Sequence, residues 1–388
     1  MLDFERLITA RALSVDASGI RRVFDLAAKV RDPINLSIGQ PHFDVPEPIR
    51  AAAARAIESG RNSYTPTQGI EPLITKINGQ FDARFRTRSR WNDYGTIITS
   101  GVSGGLLLAL MACAGPGDEV IVPDPYFVMY KQLAKLVGAR PVFVDTYPDF
   151  QLTAERVEPH LTPRTRVLLI SSPSNPTGAV TDEKNWSQLV ELCTRRNVLL
   201  VSDEIYDVFC YEPVDTLVGP RCPSPASLSD HILVLRGFSK TYAMTGWRLG
   251  YAVGPAPIVE QMKKLQQYTF VCAPSMVQHA GVTALDVDMS AEVAAYKRKR
   301  DRVIERLSSH FELTVPGGAF YAFPKAPAGW SGSQFVEAAI ARNVLIIPGS
   351  VFSERDTHFR ISYACEDAML ERGLDLLCDL AATQPASV

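Results

Sequence analysis

Lys240 and Arg248 stand eight positions apart in the stretch "LRGFSKTYAMTGWRLGY" (235–251), which contains no carboxylate. Lys240 lies among Phe238, Tyr242 and Met244. Desolvation there disfavours the ammonium, lowers its pKa and leaves the neutral amine that imine chemistry requires. A lone lysine can equally run its stem past apolar neighbours and keep its head in water. Arg248 stays cationic and offers a planar fork suited to phosphate.

Three other stretches carry comparable polar features. "VLLVSDEIYD" ends an apolar run in Asp203, with Tyr206 shortly after. An ionised aspartate buried there needs a cation or several donors, although capping a helix is the commoner fate of such a residue. In "ISSPSNPTG", prolines bracket Asn175 and Gly178 closes the turn. Such a rigid loop can aim one amide at a ligand or satisfy its own backbone. "TIITSGVSGGL" places Gly101, Ser103, Gly104 and Gly105 where a strand passes into a helix. Free amides at a helix start suit a phosphate, and a closely packed turn would use the same glycines. Neither a G-x-G-x-x-G fingerprint nor a P-loop occurs. Together these residues describe one ligand, with a phosphate for Arg248 and the glycine turn, a carbonyl for Lys240 and a basic nitrogen for Asp203. Pyridoxal 5′-phosphate carries all three.

The elements that must position these residues are legible as runs. "TIIT" (96–99), "DEVIVP" (118–123), "RPVFVD" (140–145), "RVLLIS" (166–171), "NVLLVS" (197–202), "HILVLR" (231–236) and "GYAVG" (250–254) read as seven strands. Several lack polar alternation, as strands covered on both faces do. Helical patterns lie between them at 103–114, 126–137 and 182–196, the last opening on Thr181-Asp182-Glu183 as a cap and two acids. The alternation predicts a mainly parallel α/β sheet whose ligand sits beyond the carboxyl ends of the strands. The last third changes character. "SAEVAAYKRKRDRVIERLSSHF" (290–311) reads as a long amphipathic helix whose "KRKRDR" run forms a solvated face. Short strands around "FYAF", "VLIIP" and "HFRISYA" then imply a smaller α+β domain.

Composition narrows the class. The 388 residues exceed the usual limit for one core, and a net charge of −2 gives no strong pull toward nucleic acid or anionic membrane. The apolar stretch at 105–115 is too short to span a bilayer. Seven scattered cysteines without a C-x-x-C pair fit reduced thiols in the cytoplasm, and the six histidines form no metal-ligand spacing with them. The start "MLDFERLITARAL" lacks the pattern of a secretory signal.

The chain resembles the class I/II aminotransferases of PLP fold type I, particularly the bacterial and archaeal aspartate/aromatic branch. "LSIGQPHFDVPEPI", "SYTPTQGIEPL", "SSPSNPTG", "SDEIYD", "SKTYAMTGWRLGY", "GGAFYAFP" and "FRISYA" carry the likeness in the family's order. It implies a seven-stranded, mainly parallel sheet in a large domain (48–285), a small α+β domain (286–388) and an N-terminal segment (1–47) joining the latter. By the resemblance, Lys240 forms the imine with the cofactor and later moves protons. Asp203 keeps the ring nitrogen protonated, Asn175 and Tyr206 meet the ring's phenolic oxygen, and Phe127, in preference to Tyr126, stacks on the ring. Arg248 pairs with the phosphate, helped by Val102, Ser103 and Gly104. Tyr64 reaches the phosphate of a neighbouring subunit, which implies a homodimer with shared sites. Strand alternation puts His358, Arg360 and Ser362 of "HFRISYA" on one face. Arg360, with Gly39 and Asn175 beside it, is expected to grip the substrate's α-carboxylate.

The implied reaction is ping-pong transfer of an amino group from an L-amino acid to a 2-oxo acid, 2-oxoglutarate above all. The alternatives are β-elimination from a sulfur amino acid on the same fold and a non-enzymatic regulator. The second is disfavoured because only some forty residues precede "SIGQP", too few for an added DNA-binding domain of usual size. "QYTFVCAPSMVQ" (267–278) contains no arginine or lysine, which favours aromatic or broad specificity over strict use of aspartate.

Overall fold

The computed structural model describes residues 2–17, 19, 32–85, 93–216 and 219–383. After a short strand β1 (Ile34–Asn35), seven strands build the main sheet. They are β2 (Tyr94–Ser100), β3 (Glu119–Asp124), β4 (Arg140–Asp145), β5 (Thr165–Ser171), β6 (Leu199–Asp203), β7 (Ile232–Gly237) and β8 (Leu249–Pro255), in the order β2-β8-β7-β6-β5-β3-β4. β8 runs antiparallel to both neighbours, and the remaining pairings are parallel.

The absence of alternation in these runs has its cause in two covered faces. Val120, Val122, Val167 and Leu169 enter one core with Leu106 and Ala109. The intervening Ile121, Leu168 and Ile170 enter another with Trp186 and Leu189. Each such side chain, fully buried, contributes about 1.5–3 kcal/mol relative to exposure.

The helices needed below are α1 (Glu71–Phe85), α2 (Gly101–Cys113), α3 (Val128–Val137), α4 (Glu183–Arg196), α5 (Ser290–Leu307) and α6 (Asp367–Ala381). The start of α4 differs from expectation. Asp182 is its cap, accepting from the Asn185 amide at 2.7 Å. Thr181 is buried outside the helix, its amide bonded to Ser172 Oγ at 3.0 Å.

The solvated face expected of "KRKRDR" on α5 is corrected in part. Lys297 and Arg298 are exposed, whereas Lys299 and Arg300 are buried. Lys299 Nζ donates to the Cys365 carbonyl at 2.6 Å and pairs with Asp367. Arg300 donates to the Pro316 carbonyl at 2.7 Å and lies over the Tyr211 ring. Six consecutive residues span well over one turn, so a helix packed along one side cannot show them all to water.

The remaining strands are β9 (Tyr321–Ala322), β10 (Val344–Leu345), β11 (Ile347–Pro348) and β12 (Phe359–Ser362), with antiparallel order β11-β12-β9. β1 pairs in parallel with β10, Ile34 opposite Val344, in a separate two-stranded sheet that ties the N-terminal segment to the C-terminal part of the chain. Residues 18 and 20–31 of that segment lie outside the described residues. A separate core gathers Leu36, Tyr296, Phe320, Phe335, Ile361 and Leu374, and takes in Tyr206, Phe209 and Tyr211 from just beyond β6. The two parts of the molecule therefore meet beside the carboxyl end of β6.

Candidate active site

That meeting point holds a cavity of about 310 Å³. It lies past the carboxyl ends of the parallel strands, where such sheets leave room for a ligand. Lys240 projects into it from the short helical turn Phe238–Thr241 that follows β7. Its Nζ donates to the Gly39 carbonyl, and among the described residues no carboxylate pairs with it. Burial, helped by Arg360 and Arg248 and opposed by Asp203, brings the amine's pKa down to about 8. About a tenth of the amine is thus neutral at pH 7.

Asp203 ends β6 and is 3% exposed. Oδ2 accepts from the Tyr130 hydroxyl at 2.8 Å and Oδ1 from the Ile205 amide at 3.2 Å. The residues after it form a turn rather than a helix, so it caps nothing. Burial pushes its pKa up to about 6, with Tyr130 and the Ile205 amide holding it back. Among the described residues it has no ion-pair partner.

Arg248 lies at the first turn of α2. A Cβ on Gly101 would stand 2.7 Å from Arg248 Nη2, so glycine there keeps room for the guanidinium. Arg248 has a left-handed backbone, φ 57°, and Nη1 donates to the Thr245 carbonyl at 2.8 Å. A non-glycine residue in that region costs about 1–2 kcal/mol, the kind of strain that surrounding structure sustains at functional sites. The expected glycine turn is the beginning of α2 itself. Ser100 gives no side-chain cap, and Val102 and Ser103 line the cavity. Uncapped first-turn amides and the helix dipole both favour an anion. Gly104 does not line the cavity, since an α-helix makes its first i→i−4 bond at that depth.

Arg360 is 1% exposed between the rings of Tyr321 and Phe352, at 4.5 and 4.7 Å. Nη1 donates to Asn175 Oδ1 at 2.9 Å and Nη2 to the Ser37 carbonyl at 2.7 Å. Among the described residues its Nε has no partner, and burial lowers its pKa. A buried cation with an unmet donor and no carboxylate is a receptor for an anion. Tyr206 and Tyr321 bring their hydroxyls within 2.9 Å of each other beside it. The Arg360→Lys variant is expected to lower kcat/KM for amino acids about a hundredfold, mainly through KM, because an ammonium cannot reproduce the fork. Steady-state kinetics over a range of donor concentrations would show it.

Phe127 caps α3 by its backbone and lines the cavity, edge-on to Tyr130 at 5.6 Å. Tyr126 turns away, stacking on Phe143 and donating to Glu354 at 2.7 Å. Gly39 lines the cavity, but Tyr64 does not; it is 86% exposed outside it. Tyr130, Tyr321 and Phe352 were not identified from sequence. Tyr130 sits three positions after Phe127 on one helix, a spacing that places both on the same side. Tyr321 lies inside the quoted "GGAFYAFP".

An amine, a buried carboxylate, an uncapped helix start and a buried guanidinium thus surround one cavity. Residues 31–377 match the family model "Aminotransferase class I and II". The aromatic-amino-acid aminotransferase 2 of Thermococcus litoralis is 35% identical, the alignment covering 95% of this chain and 96% of that one. The aspartate aminotransferase of Pyrococcus abyssi is 34% identical, covering 93% and 95%. A single mutant of the Thermus thermophilus aspartate aminotransferase superposes with TM-score 0.88 at 32% identity, covering 96% and 99%. The chain belongs to the class I and II aminotransferases, with the fold type I architecture. It is an enzyme of amino-group transfer. Among the described residues, no helix is long and apolar enough to cross a membrane.

Proposed function

We propose that this aminotransferase works with pyridoxal 5′-phosphate held in the cavity, moving an amino group from an L-amino acid to a 2-oxo acid, 2-oxoglutarate being the expected acceptor. The observation that carries this reading is Asp203, a deeply buried carboxylate without a cation that shares a cavity with the partly neutral Lys240 amine. The donor set fits that cofactor: Asp203 for a protonated ring nitrogen, Lys240 for the aldehyde, and Arg248 with the start of α2 for the phosphate.

When bound, the cofactor supplies an aldehyde and a ring that takes up electrons from the amino acid's Cα. Lys240 Nζ would hold it at the aldehyde and would carry the proton to and from the substrate's Cα. Asp203, kept in place by Tyr130, holds a proton on the ring nitrogen. Asn175 Nδ2 and the Tyr206 hydroxyl serve as donors to the phenolic oxygen, and Phe127 covers one face of the ring. Arg248 binds the phosphate together with Val102 and Ser103, with Gly104 behind them in the helix. Arg360 grips the α-carboxylate, with Asn175 and Gly39 shaping that end. The exposure of Tyr64 supports its expected place against a second copy of the chain in a homodimer with shared sites. The two cores on the faces of the main sheet and the separate third core support a large unit at 48–285 and a small unit at 286–388 joined by 1–47. All seven cysteines are free thiols, which supports a reducing compartment, the cytoplasm.

A panel of L-amino acids assayed with 2-oxoglutarate tests the reading. Formation of glutamate and a matching 2-oxo acid from aromatic or several donors supports it. Pyruvate released from cystathionine with no acceptor present would favour the β-lyase alternative. Activity confined to aspartate and glutamate would overturn the preference for aromatic or broad donors.

A further inference from the structure

The "SDEIYD" segment holds two acids that the proposed chemistry leaves unused, Glu204 and Asp207, and both are buried. Glu204 is fully engaged. Oε2 accepts from Arg236 Nε and Nη2 at 3.0 and 2.6 Å. Oε1 accepts from Ser202 Oγ at 3.2 Å and from Ser224 Oγ at 2.5 Å. Arg236 is itself buried and lies 3.6 Å from Asp207, which accepts from Arg84 of α1 at 2.9 Å. Arg84 closes the far end by donating to the Cys222 carbonyl at 2.6 Å.

The location of the inner pair matters more than its strength. A buried ion pair is weak support for stability, because desolvation offsets most of its attraction. Glu204 directly follows Asp203, and its amide donates to the Leu235 carbonyl at 2.8 Å. Arg236 is the last residue but one of β7, four residues before Lys240. The pair therefore links the strand ends that deliver the carboxylate and the amine. A second observation shows how closely these turns approach. A Cβ on Gly237 would stand 2.9 Å from Ile205 Cδ1 and 3.0 Å from Val102 Cγ2, so a side chain there would have to push both aside.

We infer that Glu204 and Arg236 are positioning residues for amino transfer, a buried clamp outside the cavity that sets where Asp203 stands relative to Lys240. The inference rests on the roles given above to those two residues. Charged or titratable groups facing the clamp are Asp207, Arg84, Arg221, which lies 3.9 Å from Asp207, and, on β8, Tyr251, whose ionisation Arg236 influences.

The test compares Glu204→Gln with Arg84→Met, which breaks only the outer half of the network. Three quantities are read on the full-length protein: kcat and KM with a good donor, pyridoxal phosphate affinity of the cofactor-free form, and the pH titration of the bound cofactor's absorbance. Glu204→Gln is expected to lower kcat about tenfold with little change in KM, since small displacements of reacting groups are costly. It should also weaken cofactor binding and move the titration by about half a pH unit. Arg84→Met should lower Tm while leaving kcat and the titration at wild-type values. Should Glu204→Gln fail to fold, Glu204→Asp, which keeps the charge but draws it back one methylene, reads the same quantities in the same direction. A folded Glu204 variant with wild-type kcat, affinity and titration would overturn the inference and leave the pair purely structural. Equal shifts in both variants would also overturn it. Failure of the underlying reading looks different, because wild-type protein would then show no titrating cofactor band at all.

Discussion

Replacing Lys240 with alanine is expected to abolish amino transfer, lowering kcat by at least about 10⁴-fold, while the protein keeps its fold and still binds pyridoxal phosphate. The variant loses both the covalent anchor and the group that moves the Cα proton, and positioned acid–base groups alone contribute factors of about 10²–10⁴. Folding should survive because the amine's hydrogen bond in the cofactor-free chain goes to one carbonyl, that of Gly39. Arg248 and the start of α2, the proposed phosphate holders, are left untouched. Single-turnover kinetics and spectral titration with the cofactor separate these effects. Loss of chemistry with retained binding is the expected pattern, and undiminished turnover would remove Lys240 from the mechanism.

The Asp203→Asn variant is expected to move activity and stability in opposite directions. Its amide cannot balance a protonated ring nitrogen, and loss of that electrostatic partner should cost about a thousandfold in kcat. In the cofactor-free protein the same carboxylate is a burden. Folding raises its pKa from 3.8 to about 6. Between those values the native state keeps a proton that the unfolded state has lost, so stability falls as pH rises through the window and the loss is complete above it. At about 1.4 kcal/mol per pH unit, removing the charge relieves the cofactor-free protein of about 3 kcal/mol at pH 7, of which the acceptor lost to Tyr130 or the Ile205 amide takes back about 1 kcal/mol. Near pH 4 the difference should almost vanish. Denaturant unfolding of both cofactor-free forms at the two pH values checks the sign, and equal stability at pH 7 would contradict an uncompensated buried charge.

Much of this arrangement could be read before any coordinates. Strands covered on both faces announce themselves as unbroken apolar runs, and the residues after them fall at strand ends by topology alone. Asp203, Asn175 and Lys240 were identifiable because each is a polar residue in a place where burial demands a reason. Tyr130 escaped because a tyrosine three positions beyond Phe127 looks like packing until its hydroxyl is seen on Asp203. The Glu204–Arg236 clamp is thirty-two residues apart in sequence, and no local pattern couples two such charges. Lys299 and Arg300 read as surface residues because charge in sequence does not reveal which side of a helix meets a carbonyl or an aromatic ring. Gly104 lies one residue deeper in α2 than Ser103, which lines the cavity, a difference that sequence does not show. Tyr64 lies outside this chain's cavity, and its proposed role requires a second copy.

The most direct measurement is chemical. Protein loaded with pyridoxal phosphate is treated with borohydride, which fixes any lysine-linked cofactor, then digested and mapped by mass. The mass added by a reduced cofactor should appear on the peptide bearing Lys240 and nowhere else. Modification of a different lysine, or none, would contradict the central claim that this one buried amine holds the cofactor.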